Sequence, residues 1–219
     1  MREEEIRDMK VGILGSGEVA KSLARGFLGE GNEVMLGSRE PAKLQAWVGE
    51  SGKSASSGTF AETAKFGEVV VLAVNGAKSV EAIELAGVAN CKGKVVIDAT
   101  NPLDMSAGLP KLIGGLGDSG GELNQRALPG AFVVKAFNTV GHPLFYKPKF
   151  AGGPPDMFLC GDDQSAKEKV AGICKTFGWN AIDVGGIAVS HYLEATCMVW
   201  IITAYSGNHW HQAFKLLRG

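Results

Sequence analysis

Short apolar runs of strand length alternate along this chain with segments whose apolar positions recur at helical spacing, the pattern of a doubly wound parallel sheet. Residues 10–14 and 33–37 read as strands around a helix over 18–30, which Gly29 and Gly31 close. Pro41 opens the next helix as a first-position residue. A short strand near Ser54 and a helix over 59–65 lead into Glu68-Val69-Val70-Val71-Leu72-Ala73-Val74, a β-branched run fit for a central buried strand. A helix over 78–87 and a strand over 94–98 follow, and the strand over 131–136 runs directly into Phe137-Asn138-Thr139. Strands over 156–160 and 180–184 enclose a helix over 163–177. The glycine-rich stretch 104–130 breaks the rhythm; with a helix over 121–128, it reads as a mobile loop around a site.

The expected fold is therefore α/β: a Rossmann-type doubly wound, mainly parallel sheet over 1–185, with a small helical extension over 186–219. Within that extension, residues 191–205 and 209–218 read as helices that are apolar on more than one face. Such a surface has to be covered, by the acceptor side of the same domain or by a second subunit, which points to a homodimer.

The most specific chemistry lies at the first turn. Gly15-Ser16-Gly17-Glu18-Val19-Ala20 fits the G-x-G-x-x-G/A dinucleotide fingerprint. Gly15 permits the tight turn, Gly17 lets the backbone approach a pyrophosphate, and Ala20 packs the helix closely on the strand while free amides face the phosphates. The second strand ends in Ser38-Arg39, where an NAD site would carry a carboxylate for the ribose 2′-hydroxyl. A hydroxyl followed by a guanidinium suits a 2′-phosphate, so the expected cofactor is NADP(H). Further segments fall just past strand ends: Val74-Asn75-Gly76, Thr100-Asn101-Pro102 and Ala136-Phe137-Asn138-Thr139. Ligands of open parallel sheets bind outside those ends, so these segments are expected to line the nicotinamide and its ribose, although Asn and Pro also suit ordinary turns.

Composition narrows the partners. A hydrophobic fraction of 45% fills one core, and 22 basic against 23 acidic residues give no support for binding nucleic acid. Cys91, Cys160, Cys174 and Cys197 lie far apart, with no C-x-x-C pair, as expected of reduced thiols in a cytoplasmic protein. His209 and His211, two residues apart, do not share a helical face, and no metal site is expected. The leader over 1–8 lacks the apolar core of a signal peptide, and the apolar C-terminal stretch carries Glu194, so a soluble chain without membrane attachment is expected.

Taken together, G-I-L-G-S-G-E-V-A, L-G-S-R followed by Lys43, A-T-N-P-L, V-V-K-A-F-N-T-V and D-V-G-G-I-A-V-S-H-Y-L-E resemble one family over nearly the whole chain from Val11 onward. It is the coenzyme F420-dependent NADP reductase family, which also includes the oxidoreductase domains of membrane metalloreductases. The resemblance implies that Ser38, Arg39 and Lys43 hold the 2′-phosphate and that Ser16 and the Gly17 backbone hold the pyrophosphate. It implies too that Phe137, Asn138 and Thr139 contact the nicotinamide carboxamide, largely through backbone groups. His191 stands near where relatives carry arginine, alanine or another residue, so the acceptor pocket does not carry over.

The chemistry so implied is hydride transfer between the nicotinamide and a stacked flat acceptor, F420, FMN or FAD, with electrons passing on to ferric iron as an extension. It requires orientation and exclusion of water rather than a nucleophile. His191 and Met198 are candidate acceptor-pocket residues; the plainer readings are a histidine beginning a helix and, for Met198 and Trp200, core packing. Two alternatives stay open: a non-catalytic NADP(H)-binding redox sensor, and a small NADP-dependent imine or hydroxy-acid dehydrogenase. The latter needs a proton donor facing the nicotinamide, and Lys135 reads instead as structural or cofactor-orienting.

Overall fold

The computed structural model describes residues 8–106, 108–113 and 117–219; the leader over 1–7, with the expected absence of a signal sequence, lies outside the described residues, as do parts of the glycine-rich loop. The strands are β1 (Lys10–Leu14), β2 (Glu33–Gly37), β3 (Ala55–Gly58), β4 (Val69–Leu72), β5 (Val95–Asp98), β6 (Leu103–Asp104), β7 (Lys111–Leu112), β8 (Phe132–Lys135), β9 (Asp156–Gly161) and β10 (Asn180–Asp183). The helices are α1 (Glu18–Gly29), α2 (Gln45–Ser51), α3 (Phe60–Phe66), α4 (Ser79–Ala86), α5 (Gly120–Ala127), α6 (Gln164–Thr176) and α7 (Ser190–Gly207).

An eight-stranded sheet runs in the order β10-β9-β8-β5-β4-β1-β2-β3. From β3 to β8 every neighbouring pair is parallel; β9 then pairs antiparallel with β8 and β10 parallel with β9. The order reverses between β1 and β4, so the loops leaving these strands diverge and leave a crevice at their carboxyl ends.

The continuous apolar runs are explained by burial on both faces. Val69, Val71, Ile97 and Val134 point into one core, which α1 and α6 cover, while Val70, Leu72, Val96 and Val133 point into the other, against α3 and α4. Side chains alternate with period 2 along a strand, so these central strands feed both layers.

Helix α7 buries Ser190, Leu193, Glu194, Cys197, Trp200 and Ala204. Its other side exposes Tyr192, Val199, Ile202 and Tyr205. Residues 187–207 are long and apolar enough to cross a membrane by length and composition, with mean hydropathy 1.4. Glu194, near the middle of that stretch, is nonetheless ion-paired inside the protein.

One expectation is corrected. Residues 209–218 are not helical: Asn208 adopts a left-handed conformation (φ 51°), ends α7 and turns the chain back. Tertiary bonds then hold the tail in place of helical ones. Trp200 Nε1 donates to the Gln212 carbonyl at 2.9 Å, and Gln212 Nε2 donates to the Trp200 carbonyl at 2.9 Å. The Asp156 amide donates to the Phe214 carbonyl at 3.0 Å, and the Leu216 amide donates to Asp156 Oδ2 at 2.6 Å. An isolated helix of that length would be marginal, so these partners decide the conformation. At the start of the glycine-rich stretch β6 and β7 form a short antiparallel ladder, fastened by the Ile113 amide on the Pro102 carbonyl at 2.6 Å. Pro41 opens a 3-10 turn, Pro41–Leu44, that leads into α2.

Candidate active site: a crevice at the strand order reversal

The β1–α1 turn is shaped by Gly15, whose φ of +149° is unfavourable for other residues and whose missing Cβ would collide with the Ala73 carbonyl oxygen. Its amide donates to the Gly37 carbonyl at 3.1 Å, tying the turn to the end of β2. Gly17 is the N-cap of α1 and brings no side-chain cap, so the first helical amides face the crevice without a protein acceptor from that position. A Cβ on Gly17 would meet nothing within 4 Å, which leaves its backbone open to the crevice. Ala20 is fully buried where α1 meets the sheet.

A cavity of about 420 Å³ opens on one side of this turn, lined by Gly15, Ser16, Gly17, Ser38, Arg39, Glu40, Lys43, Ala73, Val74, Asn75, Lys78 and Glu81 among others. Ser38 is buried and its Oγ accepts the Glu40 amide at 3.1 Å, fixing the start of the β2–α2 loop. Arg39 and Lys43 project into solvent: Lys43 Nζ pairs with Glu40 at 2.8 Å, and Arg39 reaches Glu81 at 3.8 Å. Lys78, from the turn after β4, pairs with Glu81 at 3.2 Å. Sequence reasoning missed Lys78 and Glu81, because only the adjacency of β1 and β4 brings them opposite Arg39.

A second cavity, about 320 Å³, shares Gly17, Ala73, Val74 and Asn75 with the first and continues to Glu18, Val19, Gly76, Ala99, Thr100, Asn101, Leu103 and Met105. Asn75 Oδ1 accepts the Ala77 amide at 2.9 Å and so closes the turn after β4. Gly76 lies so close to the Asn101 carbonyl that any Cβ would overlap it, which packs this turn against the loop after β5. Asn101 Nδ2 in turn donates to the Asn138 carbonyl at 2.8 Å, and Asn138 Nδ2 donates to Asn101 Oδ1 at 2.9 Å. The loops leaving β4, β5 and β8 are thus joined into one wall. Asn138 Oδ1 is buried and has no protein hydrogen-bond donor.

Other expected residues stand apart from both cavities. Ala136, Phe137 and Thr139 are buried behind this wall. Phe137 has φ +62°, and its ring is directed into the core, 5.7 Å from both Phe145 and Phe177. Pro102 follows Asn101 in the wall but does not line either cavity. His191 is exposed; its Nδ1 bonds the Ala188 carbonyl at 2.7 Å and its ring lies 3.8 Å from that of Tyr192. Met198 is half-buried on α7. Neither residue lines the cavities.

Behind the wall lies a buried ionic network. Lys135 Nζ sits 2.9 Å from Asp98 Oδ2 and 3.2 Å from Glu194 Oε1, and donates to the Thr100 carbonyl at 2.9 Å. Asp98 also accepts from the Thr100 amide and hydroxyl and from Asn124 Nδ2, at 2.9, 2.7 and 3.0 Å. Glu194 takes the Gly120 and Gly121 amides at 3.2 and 3.1 Å, meeting the N-terminus of α5. Burial pushes the Asp98 carboxyl up, but the Lys135 charge and the hydrogen bonds outweigh it and hold the group below the usual carboxylate range. Burial likewise depresses the Lys135 ammonium, and Asp98 and Glu194 together hold it above the usual lysine range. The signals were single charges in apolar surroundings: Glu194 within an apolar helix, and Asp98 beside Lys135 in the β5–β8 register. The four cysteines are free and buried, and burial pushes the Cys160 and Cys197 thiols up to about 12.

The strand order, the glycine turn and a crevice at the reversal point define a Rossmann-type dinucleotide-binding fold. The model of the family described as NADP oxidoreductase, coenzyme F420-dependent, matches residues 10–102. The crystal structure of a provisionally named F420-dependent NADP reductase from Arthrobacter sp. FB24 superposes with a TM-score of 0.90 at 36% identity, covering 96% of this chain and 100% of that one. A hypothetical protein from Sinorhizobium meliloti superposes at 0.70 with 28% identity, over 85% of this chain and 89% of that one. Metalloreductase STEAP3 of Rattus norvegicus is 31% identical over 191 residues, 85% of this chain and 36% of that protein, so the chain spans about a third of its length. The chain belongs to the coenzyme F420-dependent NADP oxidoreductase family.

Proposed function

We propose that the chain transfers hydride between NADP(H) and a flat flavin or deazaflavin acceptor of the F420 kind, with ferric iron as a further electron sink. The observation that carries this is the pair of adjoining cavities meeting at Gly17: a cation-flanked outer one and an inner one walled by strand-end loops. Their residues suit the cofactor. Arg39, Lys43 and buried Ser38 offer donors for a 2′-phosphate, and the open Gly17 backbone offers amides for a pyrophosphate.

In this reading the bound nicotinamide supplies the hydride and the chain supplies position. Val19, Asn75, Thr100 and Asn101, which line the inner cavity, would hold the nicotinamide there for the acceptor. The Asn101–Asn138 pair keeps that wall rigid, so the reacting rings are oriented before they meet. Lys135 holds its proton against two carboxylates behind the wall and is not free to protonate an imine or keto substrate, which favours the reductase over the dehydrogenase. The exposed apolar side of α7 suits a second copy of the chain, in a soluble cytoplasmic homodimer with His191 and Met198 on the acceptor side.

Steady-state NADPH oxidation tests the reading with F420, FMN, FAD and flavin–ferric chelate mixtures, alongside imines and keto acids. Turnover with a flat acceptor is the expected result. Tight NADPH binding without turnover would favour a redox sensor, and activity confined to imines or keto acids would favour a dehydrogenase.

A further inference from the structure

One cation faces the outer cavity from the wall opposite Ser38 and Arg39. Lys78 ends the Gly76–Lys78 turn after β4 and, though distant in sequence, lines the same cavity as Ser38, Arg39 and Lys43 of the β2–α2 loop. A single carboxylate spans that gap: Glu81 Oε2 is 3.2 Å from Lys78 Nζ, and its other oxygen is 3.8 Å from Arg39 Nη1. Lys43 is held in the same way by Glu40. Both Glu81 partners remain mostly exposed, with side chains 70% and 75% accessible, so water and salt screen these pairs and a stronger anion can displace the carboxylate.

We propose that Lys78 is a specificity-determining cation for the 2′-phosphate, working with Arg39 and Lys43 from the opposite wall, and that Glu81 is its displaceable counter-ion. The proposal rests on the NADP(H) reading above. A phosphomonoester carries close to two negative charges and three acceptor oxygens, so it can take Lys78 and Arg39 from Glu81 and bond both walls. A dinucleotide with a 2′-hydroxyl has no such charge and leaves Glu81 on its partners. Glu81 thus opposes the phosphate in two ways, by occupying its cations and by its own charge.

Calorimetric titration of the wild-type chain and of Lys78→Ala, Lys78→Arg and Glu81→Gln with NADPH and with NADH tests this. Lys78→Ala should raise the NADPH Kd about tenfold and move the NADH Kd less than about twofold. Lys78→Arg should keep most of the NADPH affinity, and Glu81→Gln should tighten NADPH by about threefold. The NADPH affinity of Lys78→Ala should also fall less steeply with added salt. A Lys78→Ala chain that weakens both cofactors alike, or neither, overturns the proposal, as does a Glu81→Gln chain that weakens NADPH. A wild-type chain that binds NADH as tightly as NADPH would remove the cofactor reading as well, whereas an NADPH preference that survives Lys78→Ala removes this inference alone.

Discussion

Lys135, at the end of β8, and Glu194, on α7, form an ion pair of 3.2 Å with no more than 2% exposure on either side chain. The pair fastens the C-terminal helix to the carboxyl edge of the sheet, directly behind the loop that carries Thr100 and Asn101. Because Asp98 shares the same ammonium, removing Lys135 strands two buried carboxylates.

Lys135→Met is therefore expected to cost about 3–5 kcal/mol of unfolding free energy, the range for breaking a buried pair by deleting one partner. Urea denaturation checks this. Burial favours the protonated form of the stranded carboxylates, so the deficit should shrink as pH falls toward about 4. A deficit independent of pH would mean that lost packing, not lost charge, is responsible.

In the wild-type chain the same network sets the pH limits of stability. Asp98 is held below its ordinary value, so its contribution is present above about pH 3.9 and lost as pH falls through the depressed value. Lys135 is held above its ordinary value, so its contribution is complete below about pH 10.4 and lost as pH rises through the raised value. Melting temperature should show no loss from this network between those limits and decline outside them.

Gly15→Ala should abolish tight NADPH binding and destabilise the chain by about 1–3 kcal/mol, since the added methyl meets the Ala73 carbonyl at a φ of +149°. Thermal melts with and without NADPH would show both effects. An unchanged ligand-induced shift in melting temperature would disconnect the turn from the cofactor.

Arg39→Asp should weaken NADPH by tenfold or more while leaving NADH nearly unaffected, because it removes a charge-assisted donor and adds a like charge beside the phosphate. Equal losses for both cofactors would contradict the 2′-phosphate assignment.

Light scattering of the wild-type chain should give a dimer at micromolar concentration, and charges placed at Val199 and Ile202, exposed on α7, should shift it to monomer. A wild-type monomer would count against the second copy.

The parts of this molecule that sequence made legible are those decided locally. A glycine turn between a strand and a helix, and apolar runs buried on both faces, carry their own signals, so β1, α1 and the central strands fall where expected. Lys78 and Glu81 were illegible because they face Arg39 only after β4 docks beside β1. Asp98, Lys135 and Glu194 needed the β5–β8 register and the docking of α7. Residues 209–218 misled because their apolar spacing suits a helix, while Asp156 and Trp200 offer the tail better partners. The left-handed backbone of Phe137, which turns its ring into the core, carries no signal in the sequence.

The central claim is direct transfer of hydride from NADPH to a flat acceptor, and isotope tracing tests it most directly. NADPH carrying deuterium at the transferable position of nicotinamide C4 would be incubated with the chain and F420, and the reduced acceptor weighed by mass spectrometry. The account predicts one carbon-bound deuterium in the reduced deazaflavin, delivered far faster from NADPH than from NADH. Reduction of the acceptor without deuterium, or equal delivery from both cofactors, would contradict it.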